Sequence, residues 1–296
     1  MELAGKYLIK ALRSLGLRLS RLIKVKAGGR GAVMTYTGLG ICLAVVFMAI
    51  AAPLLTPYDP TVKVDESFLP PSWEHPCGTN HIGQDLWSRI VYGARTVLMV
   101  VSLAIAMSMA IGVPLGLFSG YHGGLLDRAL SMVMDAIYAF PSLVLAIALA
   151  IALGKSPINA AIAIAVVYVP TYFRMVRGQV LKIKEEMFVL VNKALGIPTK
   201  SLLFKHILPH LIPTVMVVFS LSAADAVLTE AALSFLGLSI EPPTPDWGYD
   251  LYKGKGFILS GYWHIIFFPG LMITLLAMGF ALICEGLSEK YRGEAA

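Results

Sequence analysis

Lys193-Ala194-Leu195-Gly196-Ile197-Pro198, followed at a short distance by His206-Ile207-Leu208-Pro209, lies in a basic segment, 174–210, of an otherwise membrane-like chain. Long apolar runs flank it on both sides. A hydrophilic loop of this length inside a compact bundle is unusual unless it binds something. The segment therefore reads as the place where a membrane bundle meets a soluble partner.

The composition agrees. Hydrophobic residues make up 57% of the 296 and charged residues 14%, against about 25% charged in average soluble domains. Mean hydropathy is +0.75. Crossing a bilayer takes about 20 apolar residues, and the runs 38–55, 97–118, 129–153, 157–173, 211–236 and 265–284 qualify. The fourth is the shortest and carries Tyr168, Pro170 and Tyr172. Lipid leaves no backbone group unpaired, and alternating barrel strands are absent, so the runs are expected as helices. The expected fold is an all-α polytopic bundle of six transmembrane helices.

A net charge of +6 does not point to nucleic acid, because the positives are segregated. Lys6, Lys10, Arg13, Arg18, Arg21, Lys24, Lys26 and Arg30 precede the first run. Arg174, Arg177, Lys182, Lys184, Lys193, Lys200 and Lys205 lie between the fourth and fifth. Acidic residues dominate the other connections. The positive-inside rule then places the N-terminus and the 174–210 loop in the cytoplasm, and an even number of spans returns the C-terminus there. Residues 1–33 read as a cytoplasmic basic segment rather than a cleavable signal peptide. Leu8, Leu12, Leu15, Leu19 and Leu22 recur at helical spacing, which suits an amphipathic helix on anionic membrane lipid; a solvated basic tail is the alternative. The membrane domain is bounded at 34–290, with outer loops of about 56–95 and 237–264. In the second, Trp247, Tyr249, Tyr252, Tyr262 and Trp263 suit the headgroup level. Cys42, Cys77 and Cys284 form no disulfide framework. Gly112, Gly116 and Gly120 in the second run would let another helix approach closely.

Catalytic motifs are missing. Gly154-Lys155-Ser156 lacks the upstream glycine of a nucleotide-binding loop, so no cofactor is expected in this chain. His75, Cys77 and His81 match no standard metal spacing, and Pro209 is expected to break the helix that would align His206 with His210. Charged residues inside spans default to functional candidates. Asp135, with Tyr138 and Ser142 close by, and Asp225 and Glu230, with Ser222 and Thr229, are the candidates for a translocation path. Five helical residues turn through about 500°, so Asp225 and Glu230 stand about 140° apart and share no face. Packing alone would also account for these acids, and a proton relay would use them too.

At the basic loop a family becomes visible. Ala194-Leu195-Gly196, nine further residues and His206-Ile207-Leu208-Pro209 resemble the coupling loop of type I ABC importer membrane subunits. Leu190-Val191-Asn192 stands where that pattern has Glu-Ala-Ala. His75-Pro76-Cys77-Gly78-Thr79-Asn80-His81-Ile82-Gly83-Gln84-Asp85 resembles the signature of C-type dipeptide and oligopeptide permeases, departing at Cys77, Asn80 and Gln84. Asp135 with Ala139-Phe140-Pro141-Ser142, and 230–238 followed by Pro242-Pro243-Thr244-Pro245-Asp246-Trp247-Gly248, are similar to that subfamily as well. The resemblance implies the type I importer fold in a cell membrane, a second homologous permease, two cytoplasmic ATPases that hold ATP and magnesium, and an extracytoplasmic solute-binding protein. It also implies peptide cargo, with oligosaccharides or nickel complexes as variants. ATPase contact falls to Lys193, Ala194, Leu195, Gly196, Ile197, Pro198, Leu202, His206 and Pro209. Ile197, Leu202 and Leu203 are expected to fill the ATPase cleft. The alternative of another class, a proton-coupled secondary transporter, predicts inverted repeats with broken helices, and neither is visible in the sequence.

Overall fold

Glycines at every fourth position decide how the longest helices meet. The computed structural model describes residues 29–293; the proposed amphipathic N-terminal helix lies outside them. The chain runs as α1 (Arg30–Ile50), α2 (Leu86–His122), α3 (Gly124–Tyr138), α4 (Ser142–Leu153) and α5 (Pro157–Ile183). A Cβ at Gly112, Gly116 or Gly120 would stand 2.7, 2.7 and 2.9 Å from the carbonyl oxygens of Val169, Phe173 and Arg177. Backbone thus lies against backbone, the close approach that small residues permit in an apolar medium. Ser108 Oγ, one turn earlier, donates to the Ala165 carbonyl at 3.0 Å. The partners advance in step along both helices, so α2 and α5 are parallel. The intervening α3 and α4 must therefore carry the chain back across.

That return is broken. The run 129–153, expected as one continuous span, bends by 90° between α3 and α4. Pro141 supplies the reason: it lacks an N–H and disfavours helical backbone at Phe140. The second half of the chain comprises α6 (Met187–Ala194), a short turn at Thr199–Ser201, α7 (Leu208–Phe235), α8 (Trp247–Gly254) and α9 (His264–Gly293). Besides the bent pair, α1, α2, α5, α9 and the continuous stretch Thr199–Phe235 are long and apolar enough to cross a membrane. In α1 and α9, Gly38 meets the Gly279 carbonyl and Gly31 meets Glu289. The two helices are antiparallel, and both ends of the described chain lie at the same end of the bundle.

Three boundaries differ from expectation. Helix α5 continues past residue 173 to Ile183, so Arg174 and Arg177 are helical and not in a loop. Helix α2 begins at Leu86, which ends the first connection at residue 85. Pro209 does not break its helix. The preceding turn, Leu202–Ile207, is a π-helix in which the Leu208 N–H reaches back to the Leu203 carbonyl. Pro209 then falls in the first turn of α7, where its missing N–H costs little.

The connection 56–85 caps the opposite end. His75 Nδ1 lies 2.9 Å from Asp85 Oδ1, while Asp85 Oδ2 accepts the Ser88 N–H at 2.7 Å and so caps α2. Thr79 Oγ donates to the Glu66 carbonyl at 2.7 Å and accepts the Leu69 N–H at 2.9 Å. Gly78 takes φ +79° against the Leu69 carbonyl, which a side chain would obstruct. Arg89 donates through Nε to Asp250 Oδ1 at 2.9 Å and through Nη2 at 2.7 Å, tying α2 to α8. Trp247, expected at the headgroup level, is instead fully buried over Gly93 and donates Nε1–H to the Ile90 carbonyl at 2.9 Å. The histidine-to-aspartate and Asp-Trp-Gly motifs are therefore scaffold for the cap.

Candidate translocation cavity and coupling surface

Helix α6 ends on Gly196, whose φ of +74° is a left-handed conformation that other residues strain to adopt. The Ile197 N–H reaches the Asn192 carbonyl at 3.2 Å and the Gly196 N–H reaches that of Lys193 at 3.1 Å. This paired closure is a Schellman cap. Its hydrophobic partner is Ile197, half-buried against a cluster that includes Leu117, Val176, Val180, Val189, Leu202, Leu203 and Ile207. Leu202 and Leu203, expected to fill a partner's cleft, are buried in the chain's own core. They anchor the segment to α2, α5 and α7.

What faces outward is a different set. Met187, Leu190, Val191 and Leu195 are 73, 46, 48 and 74% exposed. With Ala194, also exposed, they recur at three- and four-residue spacing along one face of α6. Lys193, Gly196, Pro198 and Lys200 surround them and are exposed, while His206 and Pro209 are half-buried behind. The apolar spacing was present in the sequence, but its orientation depends on Val189 and Phe188 turning inward, the latter tilted against His210 with ring centroids 4.8 Å apart.

The second feature is a polar cavity of about 470 Å³ between the broken third crossing, α5 and α7. Tyr138, Ser142, Asp225 and Thr229, all path candidates, line it with Tyr168 and Thr171. The bend at 139–141 puts Phe140 and Ser142 on its wall. Thr229 Oγ donates to the Asp225 carbonyl at 2.9 Å, so in its 3.2 Å contact with Tyr168 the phenol is the donor. Asp135 is not on the wall. Three residues before Tyr138, it accepts from Arg174 Nη2 at 2.7 Å, and the Arg174 guanidinium covers the Tyr138 ring at 3.9 Å. Arg177 is bidentate to Asp127, which also accepts from Ser119 Oγ. Ser222 and Glu230, likewise expected on the path, are buried away from this wall. Ser239 Oγ donates to Glu230 at 3.3 Å, beside Asp246, whose own carboxyl burial pushes above the usual range.

A cavity with polar walls and an exposed apolar stub thus stand in one bundle of helices long and apolar enough to cross a membrane. The chain belongs to the family of binding-protein-dependent transport system inner membrane components, whose model matches residues 112–290. It is a multi-pass membrane permease subunit of an ABC importer. It is 40% identical over 257 residues to a dipeptide transport system permease protein of Alkalihalophilus pseudofirmus, covering 86% of this chain and 84% of that one. Identity is 36% over 261 residues to a probable D,D-dipeptide transport system permease of Escherichia coli, with 88% and 87% covered. A glutathione transport system permease of Pectobacterium atrosepticum is 34% identical over 249 residues, with 83% and 82% covered. This membership displaces the proton-coupled alternative, even though a broken helix, not visible in the sequence, is present.

Proposed function

We propose that the chain forms half of the translocation path of a peptide importer and receives its driving motion through α6. Peptide cargo is supported by the dipeptide permeases that align along most of the chain. The observation that carries the coupling role is the exposed stripe Met187, Leu190, Val191 and Leu195 on a stub whose other face is rooted in the bundle core. An unpartnered apolar face rimmed by lysines suits a partner's cleft, with apolar contact inside and charge at the edge. The partners are a homologous permease, two ATPases carrying ATP and magnesium, and a solute-binding protein at the cap. The basic end, with 174–210, then faces the cytoplasm. ATP-driven closure of the ATPases pulls on α6. The buried Leu202, Leu203 and Ile207 pass the displacement to α2, α5 and α7 as a rigid-body change. The cavity bearing Asp225 is this chain's share of the path, with Asp135–Arg174 beside it.

Gly196→Pro tests this, because proline cannot take φ near +74°. In the assembled importer, uptake and cargo-stimulated ATP hydrolysis should fall together by about tenfold or more, as a loss of roughly 1.4 kcal/mol of coupling or greater requires. Leu195→Asp, at an exposed position, should do the same without altering the bundle. Unchanged coupling in both variants, with all subunits present, sinks the assignment.

A further inference from the structure

Acids in apolar crossings are ordinarily paired, and Asp127 and Asp135 each hold an arginine, as Asp250 does in the cap. Asp225 does not. Its carboxylate lines the cavity with no hydrogen bond or ion pair to any described residue, and it is the sole charged group on that wall. Two hydroxyls on the same wall do not turn their protons to it: Thr229 gives its own to the Asp225 main-chain carbonyl and Tyr168 gives its own to Thr229. The nearby arginine is neutralised by Asp135 and covers Tyr138. The cavity thus has one uncompensated negative charge, surrounding hydroxyls and aromatic faces, and about 470 Å³ of space, within the range of small-molecule pockets.

We infer that this cavity receives a cationic group of the cargo, with Asp225 as its counter-ion; for a peptide, that group is the α-ammonium. This rests on the peptide reading above and adds the chemistry by which this chain holds the cargo. An ammonium offers three donors to a carboxylate that has none. A bare metal ion would need several converging oxygens at bonding distance, whereas the wall is formed by one carboxylate, hydroxyls and rings. The contact is released when the bundle rocks, so it need only be weak.

The complete importer in proteoliposomes, with its binding protein supplied on the cap side and ATP on the α6 side, tests the assignment using dialanine as probe. Asp225→Asn should lower dialanine uptake by about tenfold or more, the usual loss on removing a charged hydrogen-bond partner, with ATP hydrolysis within about twofold of wild type. Asp225→Glu should retain most uptake. Equal uptake by Asp225→Asn overturns the inference, and so does a parallel loss of assembly and ATP hydrolysis, which marks a structural role. Uptake driven by a proton gradient without ATP, and abolished in Asp225→Asn, overturns it in favour of a proton relay. A wild-type importer that carries neutral saccharides but not dialanine sinks the peptide reading itself, and the inference with it.

Discussion

Arg89 and Asp250 are almost wholly buried together, 3 and 5% exposed at the side chain, in a contact that joins α2 to α8. Burial pushes the Asp250 carboxyl above its usual range while Arg89 draws it down. Arg89→Ala removes only the second influence and strands an acid in the cap. Breaking such a pair from one side costs about 3–5 kcal/mol, so the purified protein should lose thermal stability at neutral pH. The sign of the pH dependence follows. With its folded pKa raised, Asp250 takes up a proton more readily folded than unfolded, so the deficit should shrink as pH falls toward the ordinary carboxylate range. Asp250→Asn in the Arg89→Ala background should recover part of the loss at pH 7; no recovery would mean that the pair is not what holds the cap. At this scale the sequence identified motif positions but not their roles. His75, Asp85 and Trp247 were legible as a family signature, yet their use as internal braces depends on contacts from distant segments, Trp247 to Ile90 and Arg89 to Asp250. The angular separation of Asp225 and Glu230 was legible, because it follows from helix geometry alone. Which of them meets the cavity was not, since that depends on where α5 and the third crossing pack.

Helix α2 meets α5 through backbone, and that contact tolerates no side chain. Gly116→Leu would drive a Cβ within 2.7 Å of the Phe173 carbonyl and further carbons into Val176. Overpacking a fitted interface costs about 1–3 kcal/mol and more when backbone must move. Gly116→Leu should therefore sharply reduce the yield of assembled importer, whereas the same change at Gly178, on α5 with open space around it, should leave yield near wild type. Equal yields would mean that the helices meet elsewhere. The glycine spacing exposed this contact in the sequence because small residues four apart form one stripe on a helix. The broken third crossing was hidden for the opposite reason: apolar residues continue on both sides of Pro141, so mean hydropathy runs through a 90° bend that this one proline marks. The start of α7 misled in another way. Pro209 would break a regular α-helix, but the π turn at Leu202–Ile207 removes the need for its N–H.

Across the whole molecule, the alternating directions of the crossings fix which segments share a side. Helices α2 and α5 are parallel, α1 and α9 antiparallel, and Gly31 meets Glu289; the 187–209 segment lies at that same end, and the 56–85 cap at the other. Packing sets this partition but has no inside or outside. The direction comes from charge: Lys and Arg near span ends favour the cytoplasmic side, and lysines surround α6. Two fully or largely exposed positions, Trp73 in the cap and Leu195 on the stub, make the orientation measurable. Cys77 is no obstacle to thiol labelling, since burial pushes its pKa up to about 12 and the thiolate is the reactive form; replacing Cys42 and Cys284 removes the other thiols. In that background, with the chain expressed without the ATPase subunits so that the α6 stripe is uncovered, a membrane-impermeant maleimide should label Trp73→Cys in intact cells and Leu195→Cys only in inverted vesicles. The reverse pattern would turn the importer over and leave the α6 stripe facing a compartment without ATPases. Labelling of both positions from one side would contradict the crossing pattern itself, because it would require an odd crossing between residues 73 and 195 to be lost. The bent α3–α4 pair is the crossing most exposed to that test, since only the parallel packing of α2 on α5 demands that it traverse the membrane.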